Sequence, residues 1–218
     1  MTFASKKSIV LLGLKVSVYT RIARLVLEEK RLDYTLEEMD IFQDSGPPAQ
    51  YLAQNPYGTI PCLVHGDFCL YETVAINKYI DSLDTAIRLQ PVNTQHRARM
   101  NQVISVLDSY AYRPMIWEVF VERVLVPEEE GEPNEAVVEN ALPVIELTLK
   151  QLEMWMGELP FLAGPDISLA DLHAFPMILY LSKTPEGVEM LASHRNIDDW
   201  LHRMKGRQSV VSTRSEYD

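Results

Sequence analysis

The chain has 218 residues, of which 47% are hydrophobic and 23% charged, and its formal net charge is -11 at pH 7. This length fits one large domain or two small ones, with enough core to fold without a metal or disulfide. The acidic balance argues against binding nucleic acid or an anionic membrane through a general field. No apolar run is long enough to span a bilayer.

Few residues of the chain are suited to metal or redox chemistry. The two cysteines, Cys62 and Cys69, have a spacing typical of neither a metal motif nor a redox pair. The five histidines show no ligand spacing, so we predict no metal. Free thiols favour a reducing compartment, and we predict a cytoplasmic protein.

The first part of the chain alternates strand and helix patterns. Residues 8–12 form an apolar run that predicts a buried strand, and residues 19–30 have the periodicity of an amphipathic helix. Residues 33–39 predict a second strand. After a turn-rich loop, the pattern predicts a short helical turn at 49–54, strands at 60–64 and 68–71, and a helix at 73–83.

The second part of the chain shows only helical patterns. A long helix is predicted over 92–126 with a kink at Pro114, and another begins after Asn134 as its N-cap. Ser168 and Asp171 have the spacing of a capping box at a further helix start. The last dozen residues predict a frayed tail.

These elements predict two domains. Residues 1–84 have the order β-α-β-α-β-β-α, which suggests an α+β thioredoxin-like domain. Residues 85–91 predict a linker, and residues 92–218 predict an all-α helical bundle domain.

Three segments carry a resemblance to a known family. NPYGTIPCL followed by LYET resembles the glutathione-binding stretch of cytosolic glutathione S-transferases. SVYTRIARLVLEEKRLDY resembles their first helix, and GPDISLADL resembles their signature in the C-terminal domain. The order of the segments agrees with that family over nearly the whole chain. The resemblance implies a transferase of the bacterial type with a serine-type active site.

Ser17 is the catalytic residue that the resemblance implies. In the serine-type enzymes a hydroxyl at this place donates a hydrogen bond to the sulfur of glutathione, and the start of a helix favours the thiolate. Two other interpretations remain open. Ser17 can simply cap the helix, and Tyr19 is an alternative partner for the thiol.

The resemblance also implies the residues that bind glutathione, which are Thr59, Ile60, Pro61, Glu72 and Thr73. In this family the bond before the proline is cis, and the backbone of the residue before the proline pairs with glutathione like an added strand. The patterns alone favour an ordinary trans proline.

Glu72 and Thr73 would hold the other end of glutathione. Thr73 would bind the γ-glutamyl carboxylate and Glu72 the ammonium group. Thr73 can instead be an ordinary N-cap. Relatives often have a basic or histidine residue before the NP-x-G segment to hold the glycine carboxylate, whereas residues 43–48 here contain none. Three alternatives stay open: Gln43 holds this end, a basic residue from elsewhere holds it, or it is bound weakly.

The acceptor pocket of the family suggests Leu14, Tyr110, Arg113 and Trp117, of which the last three share a face of an α-helix. They can equally be part of the bundle core. The first hypothesis is a homodimeric glutathione S-transferase acting on a hydrophobic electrophile in detoxification. Alternatives are a glutathione-dependent peroxidase, isomerase, dehalogenase or ether-cleaving enzyme, or a non-catalytic binding module.

Overall fold

The computed structural model describes residues 8–84 and 86–218, and the chain divides into two compact units. The first unit ends at Ile87 and also includes Ser212–Ser215, and the second comprises Arg88–Val211 and Glu216–Asp218. This division falls within the predicted linker. Residues 1–7 of the predicted first domain and Thr85 of the linker lie outside the described residues, and the predicted domain bounds stay a prediction.

The first unit has the predicted β-α-β-α-β-β-α order, which confirms the α+β thioredoxin-like fold. Its elements are β1 (Ile9–Gly13), α1 (Val18–Glu29), β2 (Tyr34–Glu38), α2 (Ala49–Leu52), β3 (Cys62–His65), β4 (Phe68–Tyr71) and α3 (Thr73–Leu83). The strands form one sheet in the order β2-β1-β3-β4. β1 and β2 are parallel because α1 crosses over between them, whereas β3 is antiparallel to both β1 and β4.

Both faces of this sheet are covered. Leu12 of β1 and Cys62 of β3 form a buried cluster with Tyr51 of α2 on one face. Side chains alternate along a strand, so Leu11 and Leu63 point to the other face, where they are fully buried. This packing holds the strand ends in fixed positions.

A buried lysine links the ends of α1 and α3. The Lys30 ammonium donates hydrogen bonds to the carboxylate of Asp81 at 3.1 Å and to its carbonyl oxygen at 2.8 Å. The carbonyl oxygens of Asp84 and Ile87 also lie within hydrogen-bonding distance, so the three N–H groups of the ammonium are shared among four acceptors. These acceptors satisfy the buried charge, and Lys30 thereby anchors the end of α3.

The second unit is helical, as predicted, among its described residues. Its helical elements are α4 (Thr94–Val106), two π-helical segments (Leu107–Ala111 and Arg113–Leu125), α5 (Val126–Glu128), α6 (Glu135–Met156), α7 (Leu169–Leu181), α8 (Pro185–Ser193), α9 (Arg195–Lys205) and α10 (Gln208–Ser212). Asn134 caps α6 by accepting from the Val137 N–H at 3.3 Å, which confirms the predicted N-cap. The capping box of Ser168 and Asp171 begins α7, also as predicted.

The helix predicted over 92–126 differs in its winding. It begins as α4 and continues through the two π-helical segments, whose hydrogen bonds run from residue i to residue i+5. Pro114 lies at the start of the second segment. Proline has no N–H and cannot donate the hydrogen bond that an α-helix requires at its position. The helix is wound here as a wider π-helix, whereas the sequence predicted only a kink.

The predicted frayed tail is wrong. Residues 208–212 form α10, and Ser209, Val210 and Thr213 are buried. The Arg24 guanidinium of α1 donates to the carbonyl oxygens of Thr213 at 3.1 Å and Ser212 at 3.4 Å. These hydrogen bonds hold Ser212 and Thr213, which belong to the first unit together with α1, and local composition does not indicate this interaction.

Candidate active site

One end of the sheet brings the predicted glutathione-binding segments together. Leu12 pairs with Cys62, and Cys62 pairs with Tyr71, so these three residues form one row across the strands. The chain therefore leaves β1, enters β3 and leaves β4 at the same end. Along the chain, residues 59–61 end directly before Cys62, Glu72 and Thr73 directly follow Tyr71, and Ser17 comes five residues after Leu12. β2 leaves there too, since Glu38 pairs in parallel with Gly13.

Ser17 lies at the start of α1, just beyond this end of the sheet. It is half-buried, and its hydroxyl oxygen caps the helix by accepting from the Thr20 N–H at 3.3 Å. A hydroxyl that accepts in this way can still donate its own hydrogen. The first turn of α1 contains no acidic residue to offset the positive end of the helix. Capping and activation of a thiol are thus compatible at this residue.

Gly13 explains why α1 can begin so close to the sheet. A Cβ atom at this position would lie 2.3 Å from the Thr20 hydroxyl oxygen, and Thr20 is fully buried in the first turn of α1. Any larger residue would push the start of α1, and with it Ser17, away from the strand end.

The Ile60-Pro61 peptide bond is cis, as the resemblance implied. The carbonyl oxygen of the preceding Thr59 accepts from the Tyr51 hydroxyl and from the Asn55 amide, the latter at 2.7 Å. Burial raises the pKa of Tyr51 to about 12, so its hydroxyl stays protonated and donates at neutral pH. The buried side chains of Tyr51 and Asn55 therefore fix the backbone of Thr59, directly before the cis bond.

Sequence analysis missed these two supporting residues. Asn55 is the first residue of the NP-x-G motif, and this place in the motif is the signal that could have identified it; the structure shows that it is completely buried. Tyr51 has no comparable signal, since an aromatic residue in a short helical turn is usually only a packing residue. Its role depends on the fold of residues 51–59 as a whole.

Glu72 and Thr73 lie between β4 and α3. Glu72 is exposed and has φ 71° and ψ 111°, a backbone conformation that residues other than glycine rarely adopt. Thr73 is buried and is the first residue of α3, so the interpretation of Thr73 as an ordinary N-cap is wrong: Glu72 occupies that position, without a capping hydrogen bond from its side chain. Strained residues of this kind cluster at ligand sites.

We expect Glu72→Gly to separate stability from binding. Glycine removes the positive-φ penalty, and we expect the free energy of unfolding to rise by about 1 kcal/mol. Loss of the carboxylate should raise the KM for glutathione about tenfold. Urea unfolding and steady-state kinetics measure the two effects.

The matched control is Glu72→Gln, which removes the charge and keeps a side chain on the same backbone. It should weaken glutathione binding similarly without a gain in stability. Unchanged KM values in both variants would contradict the assigned role of Glu72.

The four predicted acceptor residues lie in different units. Leu14, in the first unit, directly follows β1, and its carbonyl oxygen accepts from the Ser17 N–H at 3.1 Å. Tyr110, Arg113 and Trp117 are in the second unit, and all three are exposed, so they are not part of the bundle core.

The common face predicted for these three second-unit residues depends on α-helical winding and stays a prediction. The spacing i, i+3, i+7 shares a face in an α-helix, whereas the π-helical winding of this region alters that geometry. Arg113 donates instead to Glu118 at 2.8 Å, and the Trp117 indole N–H donates to the Tyr112 hydroxyl at 3.2 Å. Their part in an acceptor pocket stays a prediction.

The described part of the chain contains neither a metal-binding group nor a membrane-spanning helix. Within residues 8–84 and 86–218, no group of histidine, cysteine or acidic side chains could hold a metal ion. In the same part of the chain, no helix is both long and apolar enough to cross a membrane.

Comparison with known families agrees with the site geometry. Residues 16–83 match the family described as glutathione S-transferase, N-terminal domain, and residues 101–208 match glutathione S-transferase, C-terminal domain. The chain is also 30% identical over 196 residues to glutathione S-transferase F14 of Arabidopsis thaliana, with 88% of this chain and 77% of that protein covered. The chain belongs to the glutathione S-transferase family.

Other members of the family are similar along nearly their whole length. Glutathione S-transferase F13 of Arabidopsis thaliana is 30% identical, with 92% of each chain covered. The structure of maize glutathione S-transferase I in complex with an atrazine glutathione conjugate superposes with a TM-score of 0.83 at 25% identity and covers 94% of this chain and 96% of its own. Glutathione transferase F7 from Populus trichocarpa superposes with a TM-score of 0.83 at 26% identity, covering 94% of this chain and 97% of its own.

Proposed function

We propose that this protein is a glutathione S-transferase with a serine-type active site. The observation that carries the proposal is the position of Ser17, which lies at the start of α1 and at the sheet end shared by residues 59–61 and Glu72 with Thr73. The family of the chain supports the same activity. The bacterial-type assignment stays a prediction, since the relatives described above are plant proteins.

Ser17 would stabilise the thiolate of glutathione. A free thiol has a pKa of about 8.5, so it is mostly protonated at neutral pH. Lowering this pKa by about two units requires roughly 2.7 kcal/mol of preferential stabilisation of the thiolate. The Ser17 hydroxyl donates one hydrogen bond, and the backbone N–H groups at the start of α1 add a favourable field. The serine is a hydrogen-bond donor here and forms no covalent bond.

The remaining parts of glutathione would bind along the same end of the sheet. The backbone of Ile60 would pair with the cysteinyl residue of glutathione, held by the contacts of Thr59 and the turn at Pro61. The start of α3 at Thr73 would bind the γ-glutamyl carboxylate, because the free backbone N–H groups of its first turn and the Thr73 hydroxyl can donate to an anion. Glu72 would accept from the ammonium group, and Gln43 would hold the glycine carboxylate.

The thiolate would attack a hydrophobic electrophile, and the leaving group would depart with its electron pair. Leu14, Tyr110, Arg113 and Trp117 are the proposed acceptor residues. The atrazine glutathione conjugate bound by the maize relative supports this substrate class. A cytoplasmic role in detoxification, and a homodimer formed through α3 and α4, complete the proposal.

Product analysis tests the proposed reaction. The purified protein would be incubated with glutathione and either an activated chloronitrobenzene or an organic hydroperoxide. The proposal expects a thioether conjugate and chloride from the first substrate. Formation of glutathione disulfide from the hydroperoxide without any conjugate would favour the peroxidase alternative. Glutathione binding with neither product would favour a non-catalytic binding module.

A further inference from the structure

The two cysteines of the chain lie side by side, although six residues separate them. Cys62 is in β3 and Cys69 is in β4, and the antiparallel register places both side chains on the same face of the sheet. Their sulfur atoms are 3.2 Å apart. The sequence interpretation that this spacing is not a redox pair neglected the hairpin, which returns the chain so that the thiols meet.

The two thiols have different surroundings. Cys62 is fully buried in the cluster with Leu12 and Tyr51, and burial is the main cause that raises its pKa to about 12. Cys69 is only partly buried, and its thiol lies 3.6 Å from the carbonyl oxygen of Gln54, to which it donates. A reagent in solution therefore reaches Cys69 first, and Cys62 is a protected neighbour behind it.

We propose that Cys69 and Cys62 form a reversible redox pair that reacts with hydroperoxides. A hydroperoxide oxidises the Cys69 thiol to a sulfenic acid, and its O–O bond is reduced to give an alcohol or, from hydrogen peroxide, water. The Cys62 sulfur then attacks the Cys69 sulfur and forms the disulfide. The thiol proton of Cys62 leaves with the sulfenic hydroxyl group as water.

The contact between the two sulfur atoms sets up the second step. The sulfurs must approach by about 1.2 Å to reach the disulfide distance of about 2.05 Å, and the two strands must shift as well, because Cys62 and Cys69 are diagonal neighbours in the register. The resolving thiol is intramolecular and held against its target, which raises its effective concentration far above that of any thiol in solution. Because burial keeps Cys62 protonated, the departing hydroxyl of the sulfenic acid must take its proton as the disulfide forms.

Glutathione is a suitable reductant for this disulfide. One glutathione thiolate attacks the accessible Cys69 sulfur and releases Cys62, giving a mixed disulfide at Cys69. A second glutathione attacks that mixed disulfide, which restores the Cys69 thiol and yields one glutathione disulfide. Cys62 directly follows Pro61, so the oxidised pair lies beside the segment proposed to bind glutathione.

Intact-mass measurement of the full chain tests the pair. After treatment with hydrogen peroxide, the mass of the wild type should fall by two hydrogen atoms, and both cysteines should stop reacting with an alkylating reagent. Excess glutathione should restore the original mass and both reactive thiols. Because the chain has two cysteines in all, an intramolecular disulfide can only be this one. Persistent sulfenic acid, a chain that keeps both thiols, or disulfide-linked dimers on a non-reducing gel would overturn the proposal.

Variants assign the order of the two steps. Cys62→Ala should accumulate sulfenic acid at Cys69, which a sulfenic-acid trapping reagent detects. Cys69→Ser, at the partly exposed position, should leave Cys62 reduced. Oxidation of Cys62 in Cys69→Ser at the wild-type rate would contradict the order. Ser17→Ala should form the same disulfide as the wild type, which separates this chemistry from the proposed transferase activity.

Discussion

Replacement of Ser17 by alanine is expected to lower the rate of conjugation at saturating glutathione by roughly 25-fold at neutral pH. The variant loses the donor that stabilises the thiolate, and a thiol pKa of about 8.5 instead of about 6.5 lowers the thiolate fraction at pH 7 from about three quarters to about 3%. The affinity for glutathione itself should change little, because residues 59–61, Glu72 and Thr73 hold the rest of the molecule. Because the lost donor stabilises only the thiolate, raising the pH should recover much of the activity.

Two controls separate this effect from the loss of a helix cap. Ser17 caps α1, and replacing a cap by alanine costs about 1 kcal/mol of stability. Asn93→Ala removes a comparable cap from α4, where the Asn93 side chain accepts from the Gln95 and His96 N–H groups. It should lower stability similarly and keep full activity. Ser17→Thr retains a hydroxyl and should retain most of the rate.

A different result would reassign the site. If Ser17→Ala keeps the wild-type rate and Tyr19→Phe loses it, Tyr19 is the partner of the thiol. If both variants conjugate at the wild-type rate, the start of α1 has no hydroxyl donor in the mechanism, and the serine is only a cap.

Replacement of Asp171 by asparagine is expected to lower the free energy of unfolding by about 3–5 kcal/mol. Asp171 is fully buried at the start of α7, and each of its two carboxylate oxygens accepts two hydrogen bonds. One oxygen accepts from the Leu162 N–H at 2.9 Å and the Trp200 indole N–H at 3.0 Å. The other accepts from the N–H and the hydroxyl of Ser168, both at 2.9 Å.

The carboxylate has no equivalent replacement at this position. Burial raises the pKa of Asp171, and the four donors oppose that rise. An amide nitrogen in place of either oxygen would face two donors and leave them unsatisfied in the interior. The loop at Leu162, the start of α7 and the helix α9 that carries Trp200 would lose their common anchor.

Urea unfolding of the variant measures this loss. The matched control is Asp166→Asn, an exposed residue of the same loop, which should change stability by no more than about 0.5 kcal/mol. A loss below about 1 kcal/mol in Asp171→Asn would show that the buried network is not a main source of stability in the second unit.

Local patterns predicted much of this fold because they coincide with its tertiary contacts. Strand periodicity placed β1 to β4 within one or two residues, and the spacing of Ser168 and Asp171 identified the start of α7. The resemblance implied the cis bond at Ile60-Pro61. The sheet register then explains why segments far apart in sequence meet at one end.

The remaining features depend on partners that are distant in sequence. The N–H groups of Leu162 and Trp200 complete the set of donors to Asp171, and no local pattern connects these residues. Arg24 donates to carbonyl groups that lie 188 and 189 residues later in the chain. The composition of the C-terminal segment alone does not reveal this partner and therefore predicted a frayed tail. The π-helical winding around Pro114 likewise replaced the α-helical periodicity on which the common face of Tyr110 and Trp117 depended.

The thiol pKa of bound glutathione tests the central claim most directly. Glutathione would be titrated into the wild type and into Ser17→Ala, and the ultraviolet absorbance of the thiolate would be followed as a function of pH. We predict saturable binding with a thiol pKa about two units below the free value of about 8.5 in the wild type, and a near-normal pKa in the variant. Glutathione that binds the wild type and keeps its thiol protonated at neutral pH would contradict the proposed mechanism.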